Sequence, residues 1–400
     1  MERWKSNLYI IWMTQTISLM SFNLGLPFMS YYIQELGVTE PDLVKTYVGL
    51  LTAVSGISAG VMAPVWGRLA DKYGKKMMLL RAIAAGGLVM LGMGLSTNVY
   101  QLLVLRFLQG VFTGTITASA ALVASSAPEN RLGFALGFLS TSTQIGACVG
   151  PALGGMVAEW LGYRNSFIFG GTLLLMDFLL VLILVRDSSK INKPSINVLK
   201  GDGEKSMTKG KPFFGPWLLV GLALILIIRL ATNVFSPYMA IFVQESLGTL
   251  DGASRITGLM NGFIGLMTGL SGYILGRLGD RVNRYRLLMT CALTSLLIAI
   301  PLFWSTGVLM LAVNYGLMMF VLGGIEPIVM SVSSSRLPSN QRGQLFGIQT
   351  FVSSFAWAAS PLLGSLISVY FSVKAILLVI PLILLAQLLI ILFCGKKLLY

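Results

Sequence analysis

Histidine is missing from this 400-residue chain, cysteine occurs three times, and only 11% of the residues are charged. Each shortage closes off a chemistry. Without an imidazole, any proton carrier must be a carboxylate or water. Cys148, Cys291 and Cys394 all fall in apolar segments, and an odd, scattered set offers neither a disulfide framework nor a metal-binding spacing. No Walker-type GK[ST] run is present, and Gly203 and Gly210 in a polar stretch do not make a phosphate cradle. ATP-driven pumping would therefore need another chain. No nucleophile–base set and no filter sequence appears, which argues against a membrane-embedded enzyme or a channel. The low charge is informative in itself, because soluble chains carry about 25%.

What fills the chain instead is apolar residues, 55% of the total. Many runs approach or exceed the roughly 20 residues needed to cross a bilayer. Such spans must be helices, since an open strand leaves its backbone unsatisfied in lipid. Twelve spans are predicted, at residues 8–34, 44–66, 76–96, 99–124, 133–159, 163–186, 215–244, 256–276, 286–305, 308–335, 343–371 and 373–395. The charged, then apolar start runs past a signal-peptide core without a small-residue cleavage site, so it reads as the first span.

An even count puts both termini on one face. If that face is cytoplasmic, 23 of the 29 Lys and Arg residues lie inside and four outside, namely Lys45, Arg164, Arg255 and Lys374. Basic residues stay in the cytoplasm, so this orientation is the expected one. The net charge of +14 then reports topology. Spread over short loops, it does not mark a nucleic-acid surface. The predicted organisation is a six-helix half at residues 1–186, a cytoplasmic linker rich in Pro, Gly, Ser and Lys at 187–214, and a second half at 215–400.

Two loops spend charge in the same way. GRLADKYGKK runs from Gly67 to Lys76, and GRLGDRVNRYR from Gly276 to Arg286, starting 209 residues later. Pro128, Asn130, Gly133, Gly137, Pro151 and Gly154 recur as Pro338, Asn340, Gly343, Gly347, Pro361 and Gly364, each 210 residues on. One offset shared by six pairs implies an internal repeat of parallel topology, the build of one large transporter class.

With these motifs the whole chain resembles the major facilitator superfamily. The first loop is similar to that family's signature between helices 2 and 3, at Gly67, Asp71, Lys72, Gly74, Lys75 and Lys76. The second copy keeps Gly276, Asp280 and Arg281 but has Asn283 in the place of Gly74, where an asparagine is expected to accept the same left-handed turn. GFLSTSTQIGACVGPALGG matches the family's antiporter signature in helix 5, with Gly137, Gly146, Gly150, Pro151, Gly154 and Gly155 in place. From the residues alone, such a stripe of small side chains reads equally as close helix packing, with the proline bending the helix. In the fourth span Leu102, Arg106, Gln109 and Gly110 resemble the family's Arg-containing motif, although Phe112 stands where a further glycine is expected. Asn23 to Phe28 loosely resembles a stretch of drug exporters.

The resemblance implies an all-α membrane protein with the major facilitator fold, twelve transmembrane helices in two pseudo-symmetric halves. The chain also resembles the drug:proton antiporters of Gram-positive bacteria. The resemblance further implies a cavity lined by helices 1, 4, 7 and 10, and cytoplasmic gating. There Asp71 would meet the N-terminus of helix 11 near Gly343, and Lys75 would meet Glu129. The bland reading of these lysines is that they only orient the span.

Four ionisable residues lie deep in spans: Arg106, Asp177, Arg229 and Glu326. Each is costly in lipid, by at least about 2.5 kcal/mol on insertion scales, and each is a functional hypothesis for that reason. Glu326 precedes Pro327 and follows the pair Gly323 and Gly324. A carboxyl alternately wetted and dried there can bind and release a proton, with Arg229 of helix 7 as its partner, because helices 7 and 10 correspond to helices 1 and 4 across the repeat. The competing reading is a permanent ion pair. Arg106 either exchanges partners during transport or bonds a backbone carbonyl. Asp177, on a helix peripheral in the family, is expected to face helix 5 or a lipid-side crevice. It reads as structural before it reads as a proton carrier.

Gln15, Phe22, Asn23, Phe28, Tyr238, Phe242, Asn314 and Tyr315 are the candidate cavity lining. Their aromatic and amide groups suit amphipathic or cationic organic molecules, although core packing accounts for any one of them. The expectation is a proton-coupled multidrug exporter in a bacterial plasma membrane, working as a monomer without a cofactor. Its partners are the bilayer, protons and small substrates. A lipid flippase, a sugar exporter or an uptake symporter on the same fold is the alternative.

Overall fold

The computed structural model describes residues 3–112, 114–128, 131–185, 215–305, 307–337 and 339–399. The predicted linker and Glu129 fall outside it, as do the side chains of Asp71 and Asp280. Among the described residues all regular structure is helical, arranged as twelve rods. These are α1 (Arg3–Gly25 and Met29–Glu35), α2 (Pro41–Tyr73), α3 (Lys75–Gly94), α4 (Val99–Phe112 and Thr115–Ser126), α5 (Leu132–Leu161) and α6 (Tyr163–Leu184). The second half follows with α7 (Pro216–Asn233 and Met239–Leu247), α8 (Ala253–Arg281), α9 (Arg284–Ala299), α10 (Val308–Leu322 and Ile325–Ser335), α11 (Ser339–Tyr370) and α12 (Ile376–Leu399).

Eleven of the twelve are long and apolar enough to cross a membrane. The exception is α1, where Asn7, Thr14, Gln15, Ser18 and Ser21 dilute the apolar run. All five are buried inside the bundle and hidden from lipid, which is where a span keeps its polar groups. The chain is a multi-pass membrane protein.

The repeat extends beyond the glycine and proline echoes. Helices α1 and α7 are interrupted by 3-10 turns at Leu26–Phe28 and Ser236–Tyr238, which lie 210 residues apart. Each turn carries a proline early in its course, Pro27 and Pro237, which removes a backbone donor and stops the preceding α-helix. Helix α4 breaks before Gly114, whose φ of +125° strains any side chain. Helix α10 breaks at the matching pair, Gly323 and Gly324. These four interruptions correct the reading of continuous spans.

Packing repeats as well. In the first half α1 lies on α5 and α6, α2 on α4, and α3 on α6. In the second half α7 lies on α11 and α12, α8 on α10, and α9 on α12. The halves meet along two seams, α5 against α8 and α2 against α11.

One expectation about the repeated loops needs correction. Gly74 ends α2 at a φ of +95°, a left-handed conformation that glycine adopts without strain. Its counterpart Asn283 does not copy it. With φ −59° it caps α9, and its side-chain oxygen accepts hydrogen bonds from the backbone N–H groups of Tyr285 and Arg286. Asparagine is a favoured N-cap because its side chain satisfies orphan N–H groups of the first turn, so capping replaces the turn.

Candidate functional site

The two seams close one end of the bundle. A Cβ on Gly258 of α8 would collide with the Pro151 carbonyl oxygen on α5. One on Gly262 or Gly265 would sit 2.8 Å from the carbonyl oxygens of Cys148 and Ala147. Pro151 has no N–H for the Ala147 carbonyl, so a freed oxygen lies in the seam. Across the other seam Gly49 packs on Ser365, and Gly56 on Trp357 and Ala358. Close approach of this kind is what small residues permit between membrane helices.

Hydrogen bonds between the halves gather at the same end, away from the chain termini. Tyr31 Oη donates to the Ala240 carbonyl at 2.6 Å. The amides of Gln34 and Gln244 bond each other reciprocally, each at 2.9 Å. Tyr163 and Ser254 share a hydrogen bond of 3.0 Å. These two glutamines are 210 residues apart, so they are the same repeat position meeting itself across the pseudo-two-fold axis. At the opposite end, Gly67, Gly133, Gly137, Gly272, Gly276 and Gly347 have no atom within 4 Å of where a Cβ would stand. Because the hydrogen bonds described between the halves gather at the distal face, the bundle is shut there and splayed at the face that carries the termini.

The space between the halves holds a cavity of about 310 Å³. It is bordered by Leu19, Phe22 and Leu26 of α1, Ser55 and Ala59 of α2, Arg106, Gln109 and Gly110 of α4, the first turn of the lower α4 segment, and Trp357 of α11. Among the described residues, Arg106 is held by neutral atoms only. Its Nε donates to the Leu51 carbonyl at 3.1 Å and its Nη1 to the Gln109 side-chain oxygen. Below it, Trp66 Nε1 donates to the Val111 carbonyl at 2.6 Å, at the end of the upper α4 segment. The Arg81 guanidinium stacks 3.4 Å over the Trp66 ring.

The second half carries its charge differently. Arg229 Nε and Nη2 both donate to Glu326 Oε1, at 3.1 and 2.9 Å. The Arg229 side chain is 41% exposed and that of Glu326 17% exposed, so the pair is in contact with the open space and is not sealed. Subtracting the repeat offset of 210 gives Leu19 and Ile116, both of which border the cavity. By the repeat, the ion pair occupies the positions of the second half that match two cavity-lining positions of the first, on the wall opposite them.

Asp177 does not face α5 or lipid. It is fully buried, and its Oδ2 accepts a hydrogen bond of 2.6 Å from Ser18 on α1, while Oδ1 has no partner. Nearby on the same helix, Gln15 Oε1 accepts from Ser119 of α4 at 2.7 Å. Of the other lining candidates, Phe22 borders the cavity. Asn23 packs on Gly150 and donates to the Leu19 carbonyl at 2.8 Å. Phe28 is buried in the 3-10 turn, and Phe242 meets Phe235 edge-on at 6.0 Å between ring centroids. Tyr238 Oη donates to the Pro361 carbonyl at 2.7 Å and Tyr315 Oη to the Thr232 carbonyl at 3.2 Å. Asn314 is half-buried on α10. Most of these groups thus serve packing within a half.

In the helix 5 motif, Gly146, Gly150 and Gly154 press on α1, Gly155 presses on α8, and Gly137 has open space. In the first charged loop, Lys76 Nζ donates to the Leu182 carbonyl at 2.9 Å and Lys72 lies 5.2 Å from the Tyr73 ring centre. Lys75 is half-buried beside them, and Arg281 closes α8 in the second copy. The cross-axis glutamines and the paired prolines escaped the sequence reading. The signal was available, since Gln34-Glu35 and Gln244-Glu245 share the offset, as do Pro27 and Pro237.

Comparison with known proteins agrees with this architecture. The chain is 34% identical over 373 residues to the multi-drug resistance efflux pump PmrA homolog of Lactococcus lactis, covering 93% of this chain and 90% of that one. It is 31% identical over 382 residues to the multidrug resistance protein MdtG of Escherichia coli, with coverage of 94% and 91%. Its fold is similar to that of a bacterial homolog of the human lysosomal transporter Spinster, solved in an inward-facing and occupied conformation. That match has a TM-score of 0.79 at 12% identity and covers 97% of this chain and 96% of the other. The profile of the Major Facilitator Superfamily matches residues 11–249 and 222–397. Matched through both of its equivalent halves, the chain belongs to the Major Facilitator Superfamily and is a transporter, not an enzyme.

Proposed function

We propose that the chain exports amphipathic organic compounds across a bacterial plasma membrane in exchange for protons, as a monomer working by alternating access. The names of its bacterial relatives support multidrug efflux. The observation that carries proton exchange is the half-open Arg229–Glu326 pair, set beside the breaks in α7 and α10.

A proton arriving on Glu326 Oε1 takes the lone pair that now accepts from Arg229 Nε and Nη2. The carboxyl becomes neutral, Arg229 is released, and the wall changes its charge. A ligand or a conformational change that favours one of these states shifts the other. The basic residues on the splayed face favour a cytoplasmic placement of the termini, so this conformation is the one that loads substrate from inside. In the opposite conformation the charged loops approach across the axis. Asp71 then has the positive end of α11 within reach, and Lys75 has Glu129. Asp280 and Arg281 mark the equivalent corner.

Proteoliposomes with an imposed pH gradient test the reading. A fluorescent amphiphile should accumulate against its own gradient and redistribute when an ionophore collapses the pH difference. Movement that ignores the gradient would rule out proton exchange.

A further inference from the structure

We propose that the cavity against α4 seats an anionic headgroup, and that carboxylate-bearing amphiphiles are the preferred substrate class. The inference rests on the export reading and deepens it. Two independent features make this end of the cavity positive. Arg106 is only 6% exposed and borders the space. Its two protein partners, the Leu51 carbonyl and the Gln109 side chain, are both neutral. Among the described residues no carboxylate lies within ion-pair distance of it, and its Nη2 makes no hydrogen bond to the protein.

The second feature is the restart of α4. The lower segment begins at Thr115 after the positive-φ Gly114, without a side-chain cap. The turn formed by Thr115, Ile116 and Thr117 borders the cavity. Uncapped N–H groups at a helix start carry roughly half a positive charge and attract anions.

The opposite wall does not cancel this charge, because Arg229 and Glu326 neutralise each other. The remaining surface near Arg106 is apolar, from Leu19, Phe22, Leu26 and Trp357. One positive end and an apolar body describe a molecule with one anionic end and an apolar body. A guanidinium with free N–H groups takes a planar carboxylate in charge-assisted bonds. A cationic amphiphile would meet a like charge there with no acid to offset it. The cavity, at about 310 Å³, falls at the lower end of the range for small-molecule sites.

Three probes that differ only in the terminal group decide the matter: pyrenebutyrate, pyrenebutanol and pyrenebutylammonium. Their binding to the purified full chain is measured by fluorescence in phosphatidylcholine nanodiscs. The wild type should bind the acid about tenfold more tightly than the alcohol, as a charged hydrogen-bonded pair warrants, and the amine most weakly. Arg106→Gln should bring the acid down to the level of the alcohol, with the alcohol changed less than about twofold, and Arg106→Lys should fall between.

Equal or tighter binding of the amine by the wild type overturns the proposal whether or not the variants fold. So does an Arg106→Gln loss shared equally by all three probes. Adding phosphatidylglycerol to the nanodiscs should leave the ranking intact. If it abolishes the preference for the acid, the seat belongs to a lipid headgroup and the substrate assignment is wrong. Export is read separately: if none of the probes moves under a pH gradient while the ranking holds, the export reading falls and the anion seat stands.

Discussion

The two halves of this transporter share a scaffold and divide the chemistry. Prolines 27 and 237 break the first helix of each half, and prolines 151 and 361 lie in the fifth. The charges buried within the spans do not follow the repeat, unlike those of the two loops. Arg106 corresponds to Gly316, where the room is filled by Phe263. Asp177 corresponds to Gln387, itself fully buried. Conversely Arg229 and Glu326 correspond to Leu19 and Ile116. At each of these positions one half carries a charge and the other does not. The elements that meet at the two seams keep the symmetry. On the function proposed above, groups that bind are placed once, because a cavity that reads a molecule from both sides gains nothing from identical walls.

The sharpest way to test this division is to remove the two acids in turn. Glu326→Gln keeps the shape but removes the exchangeable proton. Gradient-driven accumulation in proteoliposomes should fall to that of empty liposomes, while substrate binding stays measurable. Asp177→Asn should do little. Asn keeps the shape of the side chain, and its oxygen can still accept from Ser18. If Asp177→Asn abolishes coupling and Glu326→Gln does not, the proton pathway runs through the first half and the roles assigned here are reversed.

The seams come next. Gly258→Leu places a side chain against the Pro151 carbonyl oxygen in a contact without room for a Cβ. Overpacking costs typically about 1–3 kcal/mol, here charged to the conformation that closes the distal face. Transport should drop about tenfold or more, and distances across that face, read by electron paramagnetic resonance, should lengthen. Gly272→Leu, on the same helix but with open space around it, should leave the distal distances unchanged. Equal effects from the two would mean that the α5–α8 seam is not what shuts this end.

Much of the fold was legible because a bilayer dictates span length and because Gly and Pro mark close approach and interruption in both halves. Pairing of Arg229 with Glu326 was legible too, since both are charges stranded in α7 and α10, the helices that match α1 and α4 under the repeat. Helix rotation was not legible. Asp177 turns toward Ser18, 159 residues away, and in a helix apolar all round no stripe tells which side is buried. The same ambiguity hid the fact that Phe242 and Tyr315 pack on their own half, that Tyr238 lies in the seam against Gly49, and that Trp357 reaches the cavity. The Arg106 environment depends on the break at Gly114, and a glycine among helix formers does not announce a break.

The smallest effect tests the symmetry itself. Gln34 and Gln244 each donate to the other at 2.9 Å across the pseudo-two-fold axis, and the Gln34 amide also donates to the Ser30 carbonyl at 3.2 Å within its own helix. Replacing either by Leu removes both hydrogen bonds between them, each worth about 0.5–1.5 kcal/mol, and leaves one amide without its partner. The two single variants should shift the population toward the distally open state by the same few-fold amount in resonance distance distributions. The double variant should add little beyond either one, because no bond between the two remains to lose, and the cycle gives the coupling directly. Unequal single effects would show that one half leads the opening, and additive ones that the amides act on separate neighbours and do not lock the axis.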